Sequence, residues 1–302
     1  MTRPKLEQPN WECVLQVRAK TGEEPVYVAE HDALYWIDCY GPTLNRTELK
    51  SGHTKTWKVS DRIGTYGLLA NGKGAVVALG SGLYRLDFAD GSQTLLHKPP
   101  YDMDNYRFNS GRCDSAGRLW VGAMRIPGSK KPVGEGGWYR LDQRGLSCEI
   151  GQEVTITNGI AFSPDDKTMY IADSHTNLIE AFDFDVEAGR VSNRRVIHRL
   201  PSDWVPDGSA VDTQGGYWTT MIGAGRVCRY LPDGTLDREL QAPTSHPTMV
   251  AFGGPNLDIL YLTTASGHLN EEGLAAQPHA GAILRCDVGM RGIAEPRFRF
   301  LD

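Results

Sequence analysis

Residues 155–185, TITNGIAFSPDDKTMYIADSHTNLIEAFDFD, carry the pattern on which the fold turns. Apolar positions alternate with small or polar ones through Gly159, Ile160, Ala161 and Phe162. The turn-forming run Pro164, Asp165, Asp166, Lys167 then breaks the alternation, and Thr168, Met169, Tyr170, Ile171 and Ala172 resume it. This is a strand, a tight turn and a second strand. A further break at 174–177 precedes a third strand from Leu178 to Asp183, so the unit is an antiparallel meander with no crossover helix. The unit recurs in residues 107–142 and 206–234, where the second strand again holds an aromatic residue, Trp120 or Trp218, as Tyr170 does here.

Extending the comparison outward gives six such units. The first covers residues 24–49 and the second 64–87. The third opens near Phe108, the fourth near Asn158 and the fifth near Asp207, and the sixth spans 247–287. Their second strands are anchored at Trp36, Val77, Trp120, Tyr170, Trp218 and Tyr261, a period of roughly 40 to 50 residues that matches propeller blades. One such sheet alone would expose apolar faces, whereas neighbouring blades bury them. The expectation is an all-β, six-bladed propeller of four-stranded antiparallel blades, a single domain over residues 1–302. A two-sheet sandwich would explain the strands but not six similar units. Closing the ring needs one more strand for the sixth blade, from residues 10–17 or from the terminal RFRFL at 297–301, and either removes an exposed edge.

Composition agrees. With 302 residues, 34 Gly, 17 Pro and 23 % charged residues, the chain suits many turns better than long helices and can bury a core without staples. Its net charge of −5 lacks the basic footprint of a nucleic-acid surface; Lys130–Lys131 and Arg194–Arg195 are too short to change that. No apolar run approaches the roughly 20 residues of a membrane span, and no signal-peptide core follows the first residues. The six cysteines form no CxxC pair, and a cytoplasmic, monomeric protein without nucleic-acid or membrane partners is expected.

Superimposing the blade openings brings out candidate chemistry. Glu23 and Glu24 open the first blade, Arg107, Phe108 and Asn109 the third, Thr157, Asn158 and Gly159 the fourth, and Pro206, Asp207 and Gly208 the fifth. Starts of innermost strands converge on the central channel although they are remote in sequence. Carboxylates and carboxamides there are hard oxygen donors suited to a divalent ion, although Asn-Gly and Asp-Gly are also ordinary turn dipeptides. Three long departures from the repeat, at 101–108, 125–137 and 265–281, are placed to shape access to one end.

These motifs resemble the gluconolactonase and senescence-marker-protein (regucalcin-like) family, including bacterial sugar lactonases such as xylonolactonase and arabinolactonase. The resemblance rests on Gly22-Glu23-Glu24-Pro25-Val26, Arg107-Phe108-Asn109-Ser110-Gly111, Ile156-Thr157-Asn158-Gly159, Ser163-Pro164-Asp165, Pro206-Asp207-Gly208 and the segment 252–257, and spans nearly the whole chain. It implies one catalytic divalent metal ion (Ca, Zn, Mg, Mn or Fe(II)) on the axis, held by Glu23, Asn158 and Asp207, with no organic cofactor. It further implies that Arg107 and Asn109 hold a sugar lactone. Many relatives carry Asp where Ser110 stands, so a carboxylate is missing from that rim. The expected reaction is metal-dependent hydrolysis of an aldonolactone, with Asp207 as general base. The alternatives are a calcium-dependent phosphotriesterase-like hydrolase and a non-catalytic sugar- or protein-binding propeller.

His246, at the start of the sixth unit, is a further candidate for binding substrate. His175 is expected on the far side from the channel start, and Asp173 as a support of the sheet or a loop. Cys113, Cys228 and Cys286, with Trp36, Trp120 and Trp218, are expected in blade cores. No Gly-x-Ser-x-Gly elbow or phosphate-binding glycine loop is present.

Overall fold

The computed structural model describes residues 3–129 and 136–301 and, at 152 and 153, the backbone alone; Lys130 and Lys131 thus lie outside the described residues. Six antiparallel sheets surround a central channel, each a meander in chain order from the axis outward. The innermost strands are Gly22–Val28, Ile63–Leu68, Tyr106–Cys113, Thr157–Phe162, Val205–Val211 and Pro247–Gly253. All six run in one sense, so their first residues meet at one end, the mouth, and their last residues at the other.

The sixth blade is completed by the beginning of the chain. Glu12–Leu15 pairs antiparallel with Ile283–Asp287, with Glu12 opposite Arg285 and Cys13 opposite Leu284. The end of the chain does something else: Phe298 bridges Leu69, and its carbonyl accepts from the Ala70 amide at the end opposite the mouth. Leu6–Glu7 adds a fifth, parallel strand to the fifth blade, so not every sheet is four-stranded. Both ends of the chain thereby cover edges that would otherwise be left open.

Apolar layers between neighbouring blades form the core. Trp120 and Trp138 from the third blade meet Ile160, Ile171 and Phe182 from the fourth. Trp120 and Trp218 are fully buried, and each indole Nε1 donates to an aspartate at the end of its own innermost strand, Asp114 at 2.9 Å and Asp212 at 2.8 Å. The same carboxylates accept from Arg118 and Arg229. Two blades thus share an Asp-x-x-Gly-x-x-Trp unit, Asp114/Gly117/Trp120 and Asp212/Gly215/Trp218, whose glycines both have φ of +83° and close the turn. The tryptophans are core residues, as are Cys113, Cys228 and Cys286.

A candidate active site at the channel mouth

Every innermost strand breaks register with its neighbour at the same height. The shift falls between Glu23 and Val26, Ile63 and Thr65, Phe108 and Gly111, Asn158 and Ala161, Pro206 and Ser209, and Pro247 and Met249. A bulge re-aims side chains, and here it encloses or adjoins each candidate residue. Glu24, within the first bulge, has φ of +50°, which turns it away from its neighbour: Glu24 lines a cavity of about 350 Å³ at the opposite end of the channel. Gly159, with φ of +64°, fills the same role in the fourth blade, where a Cβ would stand 2.3 Å from the Tyr217 hydroxyl. These two positions separate a mouth from a floor.

At the mouth the polar side chains form one chain of hydrogen bonds across three blades. Arg107 Nη1 donates to Asn109 Oδ1 at 2.9 Å and to the Phe108 carbonyl. Asn109 Nδ2 donates to Asn158 Oδ1 at 3.0 Å and to the Thr157 carbonyl at 2.9 Å. Asn158 Nδ2 donates to Ser174 Oγ at 2.8 Å, and Ser174 donates to the carbonyl of Pro206, the residue before Asp207, at 2.6 Å. Arg107, Asn109, Asn158 and Asp207 are all buried, and Arg107 Nε is left without a partner. The structure therefore brings Arg107, Asn109, Asn158 and Asp207 together.

Electrostatics set the two mouth carboxyls apart from ordinary ones. Burial pushes the proton affinity of Glu23 well up, and the Asp207 charge adds to that while Arg107 opposes it. Asp207 is raised to about 8, by burial first and then by the Glu24 charge, again against Arg107. His246 stands at the edge of this region. Its ring stacks on His268, with centroids 5.2 Å apart, and burial followed by the His268 charge lowers its affinity for a proton. Gln277 Oε1 accepts both the Ser245 amide and the Ser245 hydroxyl, so the proton between Ser245 Oγ and His246 Nδ1, 2.7 Å apart, belongs to His246. That leaves His246 Nε2 as an acceptor. The loop carrying His268 also holds the helix Glu271–Ala276 and is anchored by Ser266 and Gly267 amides on the Ala19 and Lys20 carbonyls.

A family model described as the SMP-30/gluconolactonase/LRE-like region matches residues 21–266. The chain belongs to the SMP-30/gluconolactonase/LRE-like family. Within it, this chain is 35 % identical over 288 residues to 6-deoxy-6-sulfogluconolactonase of Pseudomonas putida, covering 95 % of this chain and 97 % of that one. It is 32 % identical to regucalcin of Xenopus laevis, over 95 % and 97 % of the two chains. The solved structure of a calcium-binding regucalcin from Agrobacterium tumefaciens superimposes with a TM-score of 0.91 at 25 % identity, over 98 % of this chain and 99 % of that one.

Membership of the SMP-30/gluconolactonase/LRE-like family does not carry the expected metal site with it. Among the described residues no group of three or more His, Cys, Asp or Glu side chains is placed to hold a metal ion, which overturns the central divalent ion expected on Glu23, Asn158 and Asp207. The cause lies in what surrounds the three residues. Asn158 Oδ1 and Asn109 Oδ1 already accept from Asn109 Nδ2 and Arg107, so the carboxamide oxygens face N–H donors. Glu24, the next carboxylate, is turned to the floor, where its Oε1 accepts from Ser110 and the Gly111 amide. Two carboxyls remain, and the cation acting on both is Arg107.

Two further expectations change. Asp173 pairs with Thr157, so the end of the second strand lies at the mouth and the exposed His175 is on that side and not the far one. Asp173 supports the loop as expected, accepting from the Thr155, Ile156 and His175 amides; Asp38 does the same in the first blade for Lys20, Thr21 and Gly41. Ser110 does not stand on the mouth rim at all, because the bulge directs it to Glu24. Ser174 and His268 were missed. Ser174 was visible only as the neighbour of Asp173, and nothing in the spacing announced His268.

Proposed function

We propose that the protein hydrolyses a sugar lactone to the corresponding aldonic acid at the channel mouth. One observation carries this: a buried guanidinium with an unpartnered Nε, tied to the Asn109 carboxamide and through it to that of Asn158, lies near two carboxyls whose proton affinities are both raised. Such a rim suits a hydroxyl-rich ester better than an apolar phosphotriester, whose binding would leave buried polar groups unpaired. The resemblance to a 6-deoxy-6-sulfogluconolactonase supports the same substrate class.

The two carboxyls divide the proton transfers. Both carboxyls have their proton affinities raised by burial and by a neighbouring carboxylate, so the pair can share one proton, an acid and a base at the same mouth. Asp207 takes a proton from water as the water oxygen bonds to the lactone carbonyl carbon. The ring C–O bond then breaks, and Glu23 protonates the departing ring oxygen to give the open-chain hydroxyl. Arg107 holds a hydroxyl of the polyol and faces the negative charge that develops on the carbonyl oxygen, and Asn109 and His246 Nε2 hold further hydroxyls. A panel of xylono-, arabinono-, glucono- and galactonolactones, read as kcat/KM and corrected for spontaneous opening, tests this beside a phosphotriester. Efficient turnover of at least one aldonolactone is expected; turnover of the phosphotriester alone overturns it.

A further inference from the structure

The polarity of the mouth network is determined by its two ends. The Pro206 carbonyl can only accept, so the Ser174 hydroxyl must donate to it and offer its lone pair to Asn158. Asn158 then has to present Nδ2 to Ser174 and Oδ1 to Asn109, and Asn109 has to present Nδ2 to Asn158 and Oδ1 to the remaining end. That end is Arg107, which can only donate. Every donor points the same way, from the guanidinium of the third blade to the peptide carrying Asp207 in the fifth. Ser174 is the only hydroxyl in this chain of bonds, and it is buried.

We infer that Ser174 is a positioning residue for the hydrolytic step, acting through the Pro206 carbonyl on Asp207. The inference rests on the lactonase reading above. Removing the hydroxyl leaves the Pro206 carbonyl without its donor and Asn158 Nδ2 without its acceptor, in a buried setting where such losses are felt. The peptide before Asp207 is then free to shift. A base displaced by a fraction of an ångström loses rate without losing substrate, because hydroxyl binding at Arg107 persists.

The test compares wild type, Ser174→Ala, Ser174→Thr, Asp207→Asn and the Ser174→Ala/Asp207→Asn double variant on the best lactone of the panel, with thermal unfolding recorded for each. Ser174→Ala is expected to lower kcat about 10-fold with KM within about twofold, and Ser174→Thr, which keeps the hydroxyl, to stay within about threefold of wild type. The double variant should be no slower than Asp207→Asn alone, since a residue acting through Asp207 has nothing left to position. Wild-type turnover in Ser174→Ala, or a full additional 10-fold loss in the double variant, overturns the positioning role while leaving the lactonase reading intact. No lactone hydrolysis by wild type removes both.

Discussion

The mouth and the floor of the channel are built from adjacent residues of the same strands, yet their polar groups are in opposite states. At the mouth, Arg107 meets the Asn109 carboxamide and keeps an unpartnered Nε, and both carboxyls are raised. At the floor, Arg112 is paired with Glu295 at 3.2 Å and donates to the Ser209 carbonyl at 2.7 Å. Glu24, itself raised to about 8, accepts from Ser110 and Gly111, and the segment bearing Glu295 crosses the opening before Phe298 docks. One end holds polar capacity in reserve and the other spends it internally. Reserve capacity costs stability and is retained where a ligand will use it, so substitutions at the two ends should fail in different ways.

The floor should lose stability and keep its chemistry. Phe298 is fully buried among Leu69, Leu119 and Val121, so Phe298→Ala is expected to destabilise by about 4 kcal/mol, with the rate per folded molecule unchanged. Denaturant unfolding beside initial rates checks it; a proportionate loss of specific activity would erase the distinction between the ends. Asp207→Asn is the converse. Hydrolysis should fall roughly 100-fold or more while the melting temperature holds or rises, because a buried carboxyl that resists ionisation is replaced by a neutral amide. Near-normal turnover would remove Asp207 as the base.

Arg107→Lys separates binding from turnover within the mouth. Lysine keeps the charge but lacks the fork that reaches both Asn109 and the Phe108 carbonyl, so KM for polyhydroxylated lactones should rise about 10-fold with a smaller change in kcat. A pure kcat effect would place Arg107 at the reacting carbonyl only. The smallest effect is with pH. Asp207 is a base only once ionised, so kcat/KM should climb as pH rises, about fivefold between pH 7 and 8 for a group titrating at about 8. Stability runs the other way: the folded protein holds protons that the unfolded chain releases from about pH 4 upward, so it weakens from about pH 4 to about pH 8. In Asp207→Asn that slope should flatten, which urea titrations at pH 5 and 8 will show.

Much of this is legible in the sequence alone. Alternation and aromatic second strands in the 155–185 unit fix strand, turn and strand locally, and the six-fold recurrence leaves few ways to bury both faces of each sheet. Arg107, Asn109, Asn158 and Asp207 could be picked out because they open blades, and strand starts converge in a closed ring. His175 was misplaced for want of register: the pairing of Thr157 with Asp173 puts the end of the second strand beside the start of the first.

The repeat, its period and the set of residues that meet on the axis are written in the sequence, because they follow from short-range periodicity and the need to cover apolar faces. Which direction each polar atom faces was decided only in three dimensions. The bulges send Glu23 and Glu24 to opposite ends and carry Ser110 off the rim. The fixed donor at Arg107 and the fixed acceptor at Pro206 set which way the Asn109 and Asn158 carboxamides face. Hydrogen-bond polarity is a property of partners far apart in the chain, 97 positions in the case of Arg112 and Ser209. No local pattern encodes it, because each orientation is settled by the donor or acceptor that the neighbouring blade presents.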